Sequence, residues 1–307
     1  MRMANADAKL VIGYVGLGAI GAPMARRIAQ AGHPLVVCDQ RAEAMAAFQG
    51  LATPAATPRD VADQADVVFS CLPTLTSHHE AITGPQGVIR GQRARAYVHS
   101  GTTGRVLAME LEAALRERGI AMLDAPITGG VAGARDGTLT VMTSGDAALA
   151  REVEPVIQSF ARKVVYLGDG VGKAQTMKLV NNMLVGANLV IPIEALVLGH
   201  KAGLPVATMM EIINSGPAQN HATLGKILKS VLPRTFNHGG VMHLIVKDLN
   251  AYVQEAEALG VDCGLGAAVL AAYQHALDTG NAPTDDMTAV IQSMERDAQV
   301  TLPPTSF

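Results

Sequence analysis

Short apolar runs alternate with stretches of helical periodicity over the first half of the chain. Five short runs look like strands: residues 11–15, 35–39, 67–72, 96–99 and 121–123, and the stretches 137–143 and 163–167 extend this region. Helical spacing lies between them over residues 22–31, 41–49, 58–65 and 103–118. Because strands that alternate with helices build parallel sheets with helices on both faces, the pattern predicts an α/β, doubly wound domain.

The pattern changes after Gly168. From Gly172 onward the apolar positions follow almost only helical spacing, with breaks near residues 203–205, 215–217, 238–240 and 260. We therefore expect one domain over residues 1–168 and an all-helical domain over residues 169–307. A helix from about Ala174 to Ala202 would be roughly 40 Å long at 1.5 Å per residue and would join the two domains.

Charge and apolar content exclude some classes of partner. Lys+Arg number 24 against 27 Asp+Glu, and this balance has no basic surplus for nucleic acid or an anionic membrane. The apolar stretch from Met183 to Leu198 is interrupted by Asn188, Pro192 and Glu194 and falls short of the roughly 20 residues of a membrane span. We expect a buried helix there.

Cysteine and histidine positions do not suggest a metal site. Cys38, Cys71 and Cys263 are far apart without a C-x-x-C, so we expect reduced thiols in a cytoplasmic protein. The first two lie in strand-like runs and are expected in the core. His78 and His79 have no third ligand in sequence, so they are predicted on a solvated helix face.

Residues 11–25 admit two interpretations. Basic Arg2 and Lys9 precede an apolar run that ends in small residues, which is the outline of a secretory signal peptide. The same letters contain a G-x-G-x-x-G, residues 16–21, between a predicted strand and a predicted helix. Asp39 ends the next strand, as in dinucleotide-binding domains. Because a signal peptide predicts none of this later order, we favour a Rossmann turn that binds NAD or NADP.

The residues of this turn would have different roles. Gly16 would allow the tight turn, Gly18 the approach of the pyrophosphate, and Gly21 the close packing of helix and strand. The start of the helix offers N–H groups to the phosphates, and Leu17 and Ile20 belong to the same cofactor-binding turn.

Asp39 and Arg41 bear on the choice of cofactor. The carboxylate of Asp39 can accept hydrogen bonds from the adenosine ribose and would repel a 2′-phosphate, which favours NAD. The guanidinium of Arg41 would instead suit the 2′-phosphate of NADP. NAD is the prediction, and NADP remains the alternative.

Three further motifs follow the glycine turn. Residues 123–130 read LDAPITGG, residues 170–182 read GVGKAQTMKLVNN, and residues 247–249 read KDL. In this order the four motifs resemble the β-hydroxyacid dehydrogenase family, which includes 3-hydroxyisobutyrate dehydrogenase and tartronate semialdehyde reductase. The resemblance runs from about residue 10 to residue 295. It implies an NAD(P)-dependent oxidoreductase that interconverts a β-hydroxy acid and its semialdehyde or keto acid.

Lys178 has the chemistry that such a reaction requires. It can give a proton to the developing alkoxide during reduction, or take the hydroxyl proton during oxidation, and burial beside the cofactor would lower its pKa towards neutrality. Asn182 lies four residues later on the same helix face and can hold the substrate. The backbone N–H groups of Thr128, Gly129 and Gly130, with the Thr128 hydroxyl, can bind a substrate carboxylate.

The resemblance assigns the remaining site residues. It implies that Lys247 closes over the cofactor and that Asp248 supports the site. Leu72 and Pro73 would line the adenosine side, and Thr102 is grouped with the cofactor residues. The helical domain is expected to carry substrate residues and to form at least a homodimer.

Two positions depart from the family pattern. After the strand of residues 96–99, Ser100 keeps the first of two hydroxyl residues that face substrate, but Gly101 replaces the second. Gly240 stands where relatives have an aromatic residue. We hypothesise a roomier pocket that accepts bulkier β-substituents, unless a nearby ring fills the gap: His238, His243 or Phe236.

Two other functions remain open. Imine reductases share this architecture but typically carry another residue at the position of Lys178, so the lysine argues against them. A cofactor-binding regulatory protein without turnover is the second alternative. The presence of Lys178, Asn182 and the Thr128-Gly129-Gly130 turn argues against it.

Overall fold

A computed structural model describes residues 9–305 of the chain. Residues 1–8 and 306–307, and with them the basic Arg2 of the signal-peptide interpretation, lie outside the described part. The chain forms two compact units, the first ending at Lys178 and the second beginning at Leu179. The predicted boundary near residue 168 remains a prediction.

The first unit is built on one mixed sheet. Its strands are β1 (Ile12–Val15), β2 (Leu35–Cys38), β3 (Thr53–Pro54), β4 (Val67–Ser70), β5 (Ala96–His99), β6 (Ala121–Asp124), β7 (Ile127–Thr128), β8 (Leu139–Gly145) and β9 (Ala161–Tyr166). Their order is β3-β2-β1-β4-β5-β6-β8-β7, and β9 pairs with β8. The strands from β1 to β6 are parallel, whereas β8 is antiparallel to β6 and β7. Strand order reverses between β1 and β4, where doubly wound sheets bind ligands at the carboxyl ends of their strands.

Helices connect these strands. They are α1 (Gly21–Gln30), α2 (Ala42–Ala46), α3 (Pro58–Gln64), α4 (Leu75–Thr83), α5 (Arg105–Arg116), α6 (Gly130–Asp136) and α7 (Ala147–Gln158). Capping boxes begin two of them, with Thr57 and Asp60 at α3 and Thr74 and Ser77 at α4. In each box two N–H groups that the helix leaves unpaired find side-chain acceptors.

Apolar cores lie on both faces of the sheet. Successive strand residues point to opposite faces, so Val37 and Phe69 join one core while Val36 and Val68 join the other. Strands that are buried on both faces have no polar alternation, which explains why they were recognisable in sequence as continuous apolar runs.

The second unit is helical over residues 179–305. It contains most of α8 (Lys173–Lys201), followed by α9 (Val206–Ser215), a π-helix (Ala222–Val231), α10 (Met242–Ala258), α11 (Gly264–Asp278) and α12 (Ile291–Ala298). A short 3-10 turn spans Met287–Val290, and an isolated bridge joins Val241 to Asp286. The predicted α/β domain followed by an all-helical domain is therefore confirmed.

Helix α8 is the long helix expected from sequence. By length and composition alone it could cross a membrane, and 44% of its most apolar window is buried inside the protein. Leu189, Ile193 and Leu196 are fully buried in the core of the second unit. That core accounts for much of the apolar character of α8.

Some elements were not predicted. Helix α6 has the sequence GVAGARD, whose two glycines weaken any helical signal. Helix α7 contains Pro155, and β3 and β7 are each two residues long, too short for periodicity to reveal. In the stretch 137–143 the strand begins at Leu139, because Gly137 adopts a left-handed φ of 69° and caps the end of α6.

Candidate active site

The glycine turn between β1 and α1 is shaped by the protein at two positions and left open at the third. Gly16 has φ 97°, and a Cβ there would lie 2.5 Å from the backbone oxygen of Cys71. A Cβ at Gly21 would lie 2.1 Å from the oxygen of Gly16. At Gly18 a Cβ would meet nothing within 4 Å. Packing therefore requires Gly16 and Gly21, while Gly18 borders the kind of free space that a pyrophosphate needs.

The start of α1 also fits an anion. Its N-cap residue, Ile20, provides no side-chain acceptor, and the first turn contains no acidic residue. The first N–H groups of α1 therefore lack the side-chain caps that α3 and α4 have. Leu72, two residues beyond the end of β4, packs against the same turn, because its Cδ2 lies 2.7 Å from where a Gly16 Cβ would be.

Asp39 and Arg41 form hydrogen bonds to each other and to the Leu17 backbone of the glycine turn. One oxygen of Asp39 accepts the N–H of Leu17 at 2.6 Å, and the other accepts the backbone N–H of Arg41 at 2.9 Å and its Nε at 3.1 Å. Arg41 donates in turn to the backbone oxygen of Leu17 at 2.9 Å. Burial raises the pKa of Asp39, but the hydrogen bonds from Arg41 and Leu17 outweigh it and hold that pKa below its ordinary value.

The segment after β5 contains a buried hydroxyl for which the described residues provide no partner. Ser100 is 4% exposed, and its Oγ makes no hydrogen bond to the residues that the structure describes. Buried polar atoms are normally satisfied, so this hydroxyl fits a site completed by a ligand. Thr102, two residues later, is half-buried.

His78 corrects two expectations at once. It is 1% exposed rather than solvated, whereas His79 is exposed. Its Nε2 lies 3.1 Å from the Leu72 oxygen, and its ring lies 4.4 Å from that of His99. A Cβ at Gly101 would lie 2.1 Å from the same Nε2. The room expected beside Gly101 is therefore filled by His78, and the small residue at 101 is what allows that histidine to be buried.

The expected room at Gly240 is filled as well. A Cβ there would lie 2.8 Å from the sulfur of Met287. Of the rings considered as fillers, His238 and His243 are exposed, and Nδ1 of His243 lies 2.9 Å from the Pro283 oxygen. The hypothesis of a pocket enlarged at Gly101 and Gly240 is therefore wrong, since His78 and Met287 occupy the two places.

The Thr128-Gly129-Gly130 turn lies where β7 meets α6. Gly129 and Gly130 have φ values of 128° and 66°, which only glycine adopts readily. Nothing lies within 4 Å of a Cβ built on Gly130. Backbone N–H groups at such a turn can be approached by a carboxylate, with the half-buried Thr128 as a further donor.

The start of α8 is held by a buried polar network centred on Asp124. The fully buried carboxylate accepts hydrogen bonds from the Gly172 N–H, from Gln175 Nε2 at 3.3 Å and from Ser144 Oγ at 3.4 Å. Ser144 Oγ also accepts the N–H of Ala174 at 3.0 Å. Burial raises the pKa of Asp124 to about 6, and the hydrogen bonds oppose that rise.

Gln175 extends the network to the segment after β5. Its Nε2 donates to the Gly101 oxygen at 3.0 Å, and its Oε1 accepts the N–H of Thr103 at 3.0 Å. Thr103 Oγ1 lies 3.0 Å from His99 Nε2. One fully buried amide therefore fixes the segment after β5 to the first turn of α8.

Lys178 follows one turn after Gln175. It is 9% exposed, so a solvated surface lysine is not what the structure contains. The neighbouring Met177 and Val180 are 39% and 37% exposed. The network around Asp124 therefore determines where the helix that carries Lys178 begins.

In the second unit, Asp248 joins two other candidate residues. Its Oδ2 accepts Asn182 Nδ2 at 2.6 Å, and its Oδ1 lies 2.9 Å from Lys247 Nζ. Asn181 donates to the Asn182 oxygen at 3.1 Å, so the amide of Asn182 is held from both sides. Lys247 also lines a groove with Val246, Asn250 and Leu270 among others. Over residues 9–305, no group of three His, Cys, Asp or Glu residues is placed to hold a metal ion.

Two family models match almost the whole chain. The NAD-binding domain of 6-phosphogluconate dehydrogenase matches residues 11–168. The NAD-binding domain of NADP-dependent 3-hydroxyisobutyrate dehydrogenase matches residues 172–294. The chain belongs to the β-hydroxyacid dehydrogenase family.

Individual relatives agree with this assignment. The 2-(hydroxymethyl)glutarate dehydrogenase of Eubacterium barkeri is 30% identical over 94% of this chain and 96% of its own. The 2-hydroxy-3-oxopropionate reductase of Escherichia coli is 30% identical over 92% and 97%. The solved 3-hydroxyisobutyrate dehydrogenase of Mycobacterium tuberculosis is 27% identical, with a TM-score of 0.84. The match covers 94% of this chain and 99% of the solved chain.

The imine reductase alternative is more distant. The imine reductase of Myxococcus stipitatus is 18% identical with a TM-score of 0.64, over 94% of this chain and all of its own, which shows the fold alone. The protein is an NAD(P)-dependent oxidoreductase that interconverts a β-hydroxy acid and its semialdehyde or keto acid by hydride transfer.

Proposed function

We propose that Lys178 is the general acid and base of this oxidoreductase. The observation that carries the proposal is a lysine 9% exposed, one turn beyond the buried Asp124–Gln175 network that anchors its helix. In reduction, Nζ gives a proton to the substrate oxygen as the carbonyl carbon gains a hydride. In oxidation, neutral Nζ takes the hydroxyl proton as the hydride leaves.

The dinucleotide would be held by residues of the first unit. The open space at Gly18 and the uncapped start of α1 fit such a group. When bound, the nicotinamide supplies or accepts the hydride. Asp39 and Arg41 would receive the adenosine ribose. The further cofactor-binding residues of the proposal are Leu72, Pro73, Thr102 and Lys247.

The substrate carboxylate is assigned to the turn at Thr128, Gly129 and Gly130. The positive φ values expose backbone N–H groups there, and the space beside Gly130 is open. Asn182, fixed by Asp248, would hold the hydroxyl or carboxylate of the substrate. Ser100 would supply a further hydroxyl.

Substitution of Lys178 by Met tests the proton-transfer role. Methionine keeps the length of the side chain and removes the proton, and general acid–base catalysis contributes on the order of 10²–10⁴ in rate. We expect a loss of that size in kcat with little change in the Kd of NAD, measured by fluorescence titration. Lys173→Met, at an exposed lysine of the same helix, is the control. A Lys178→Met enzyme that keeps a tenth of normal turnover would exclude Lys178 as the acid.

The cofactor is proposed to be NAD rather than NADP. Arg41 is already engaged by Asp39 and by the Leu17 oxygen, and the Asp39 carboxylate would repel a 2′-phosphate. We expect kcat/KM to favour NAD by at least tenfold, measured from absorbance of the reduced nicotinamide with each cofactor. Asp39→Asn should narrow that preference. A tenfold preference for NADP in the unmodified enzyme would contradict the assignment.

The protein is further proposed to be cytoplasmic and to act as a homodimer or homotetramer on a small β-hydroxy acid, without nucleic-acid or membrane partners. In support, Leu184, Ile191 and Leu198 recur every seven residues along α8 and are 53%, 63% and 71% exposed. An exposed apolar stripe of this kind suits contact with a second copy.

A further inference from the structure

Lys226 is a buried cation without a good acceptor. It is 7% exposed, and among the described residues its ammonium makes one hydrogen bond, to the sulfur of Met287 at 3.9 Å. A thioether is a weak acceptor, and burying a charge without compensating oxygens is unfavourable. Burial accordingly lowers the pKa of Lys226. The second unit thus keeps an ammonium group where its own structure does little to stabilise it.

The carboxylate that acts on Lys226 is occupied elsewhere. Asp286 raises the pKa of Lys226 by its charge, yet no ion pair joins the two groups in the part of the chain that the structure describes. One oxygen of Asp286 accepts the Gly239 N–H at 2.6 Å. The other accepts the N–H and hydroxyl of Thr288 at 3.0 and 2.5 Å. Asp286 therefore orients the backbone around the site rather than neutralising the lysine.

Two exposed histidines, His238 and His221, lie near Lys226, and the charges of these groups act on one another. Burial lowers the pKa of His238, the positive charges of Lys226 and His221 lower it further, and Asp286 opposes them. The cluster of Lys226, His238 and Asp286 is joined through Met287, whose sulfur lies 3.9 Å from Lys226 Nζ and 2.8 Å from a Cβ built on Gly240. What Lys226 lacks, among the described residues, is an oxygen acceptor for its ammonium.

The backbone around this cluster has unusual conformations. Lys226 lies within the π-helix Ala222–Val231, a form that is rare and frequent at functional sites. Just beyond it, Arg234 and Phe236 have φ values of 61° and 45°. The Arg234 guanidinium makes two hydrogen bonds of 2.7 and 2.8 Å to the buried Glu295, which holds this strained segment in place.

We propose that Lys226 and His238 form an anion-binding site in the helical unit, and that its ligand is a carboxylate. One ammonium and one imidazole match a single negative charge. A phosphate would require more donors, and the nearby Gly239 N–H is already used by Asp286. The carboxylate comes either from a free acid or from a second acidic group of the substrate. The second source rests on the proposed function, whereas the first does not.

Glutarate is the probe for this site. Calorimetric titration of the NAD-saturated enzyme should show binding that weakens at least tenfold in Lys226→Met. Lys229→Met is the matched control, because Lys229 is an exposed lysine three positions later in the same π-helix, and it should bind glutarate as the unmodified enzyme does. Equal binding by Lys226→Met and the unmodified enzyme would overturn the proposal.

A second measurement does not depend on any variant folding. In enzyme labelled with ¹³Cε-lysine, the Lys226 resonance should titrate at a higher pH when glutarate is present, since a bound carboxylate stabilises the charged amine. An unchanged Lys226 titration under saturating glutarate would refute the site. Both readouts need no turnover, so failure of the Lys178 assignment would leave them intact.

Kinetics separates the two sources. If the ligand is part of the substrate, glutarate will compete with a β-hydroxy acid that bears two carboxylates. Lys226→Met will then lower kcat/KM for that substrate at least tenfold relative to a one-carboxylate analogue. If the ligand is a free acid, glutarate will change turnover of the one-carboxylate analogue without competing with it, and Lys226→Met will abolish the change. Glutarate binding with neither effect would show an adventitious anion only and would overturn the proposal.

Discussion

Two buried aspartates, Asp124 in the first unit and Asp248 in the second, each hold residues of α8 by different partners. Asp124 is surrounded by neutral donors: a backbone N–H, an amide and a hydroxyl. Asp248 accepts one amide hydrogen bond and pairs with the ammonium of Lys247. Both side chains are largely withdrawn from solvent, but only Asp248 has a counter-charge within 4 Å.

The difference teaches that burial alone does not decide what a carboxylate contributes. Without a cation, the desolvation of Asp124 is unopposed by charge, and the pKa rises to about 6. What Asp124 provides is geometry, because three elements meet at its oxygens: β6, β8 and the first turn of α8. Asp248 forms a charge pair with Lys247, whose side chain is 28% exposed, and charge pairs that water can reach contribute little to stability.

The largest expected effect is on the pH dependence of stability. The folded pKa of Asp124 is about 6 against 3.8 for the unfolded group, so the folded state binds the proton more tightly. Stability is therefore lost as pH rises between these values, by about 3 kcal/mol in total. Urea unfolding of the unmodified enzyme and of Asp124→Asn should show the difference between them falling by about that amount from pH 4 to pH 7.

Asp66 provides a control of opposite sign. Burial raises the pKa of Asp66, but hydrogen bonds from the Arg93 guanidinium and the Val11 N–H outweigh it and lower that pKa. The stability that Asp66 contributes is present at neutral pH and is lost as pH falls, so the difference between the unmodified enzyme and Asp66→Asn should grow with pH. If the Asp124 difference is flat or also grows, the carboxylate is not desolvated as described.

The sequence could predict most of the strands and helices of the first unit, but little of the buried polar network around Asp124. Gly16 and Gly21 stand where the geometry of the turn excludes a side chain, so their spacing in the sequence is informative. Asp124 and Gln175 both lie in recognised motifs, but their roles depend on Ser144 and Thr103, which are distant in sequence. Periodicity reports which residues are buried and not which polar groups meet.

His78 shows a second limit of the sequence. A histidine pair on a polar helix is typical of a solvated face, and only the space left by Gly101 allows His78 to be buried. The signal in the sequence is the missing side chain at 101, which is equally compatible with room for substrate and with a buried neighbouring ring. In the second unit, the π-helix around Lys226 has no sequence signature of its own, so its buried ammonium was not anticipated.

The next effect in size is on turnover. In Asp124→Asn an NH₂ group replaces one of the two acceptor oxygens. The amide cannot accept hydrogen bonds from Gly172, Gln175 and Ser144 together. The first turn of α8 must move, and a displacement of about 1 Å at a catalytic group can reduce rate by up to 10². We expect kcat at pH 8 to fall at least tenfold while the Kd of NAD stays within about twofold.

Steady-state kinetics and NAD titration of the same preparation provide this test. Asp63→Asn is a suitable control, because the exposed side of α3 takes no part in the network and the amide can still accept the Gln92 N–H. A kcat within twofold of the unmodified enzyme would show that α8 keeps its place without the Asp124 carboxylate.

The smallest effect is expected at Asp248. In Asp248→Asn the remaining amide oxygen can still accept from Asn182 Nδ2, while Lys247, which is 28% exposed, can turn its ammonium to solvent. What is lost is an ion pair worth about 0.2–1 kcal/mol at such exposure, which corresponds to at most about fivefold in affinity. The loss should fall on KM rather than on kcat, because Asn182 and Lys247 are assigned to binding and Lys178 to proton transfer.

Steady-state kinetics at saturating NAD separates the two parameters, and Asp248→Leu, which removes both acceptors, should raise KM further. If Asp248→Asn instead lowers kcat as much as Asp124→Asn does, the two aspartates contribute equally to turnover. The distinction between an aspartate that positions α8 through neutral donors and one that forms a charge pair would then be wrong.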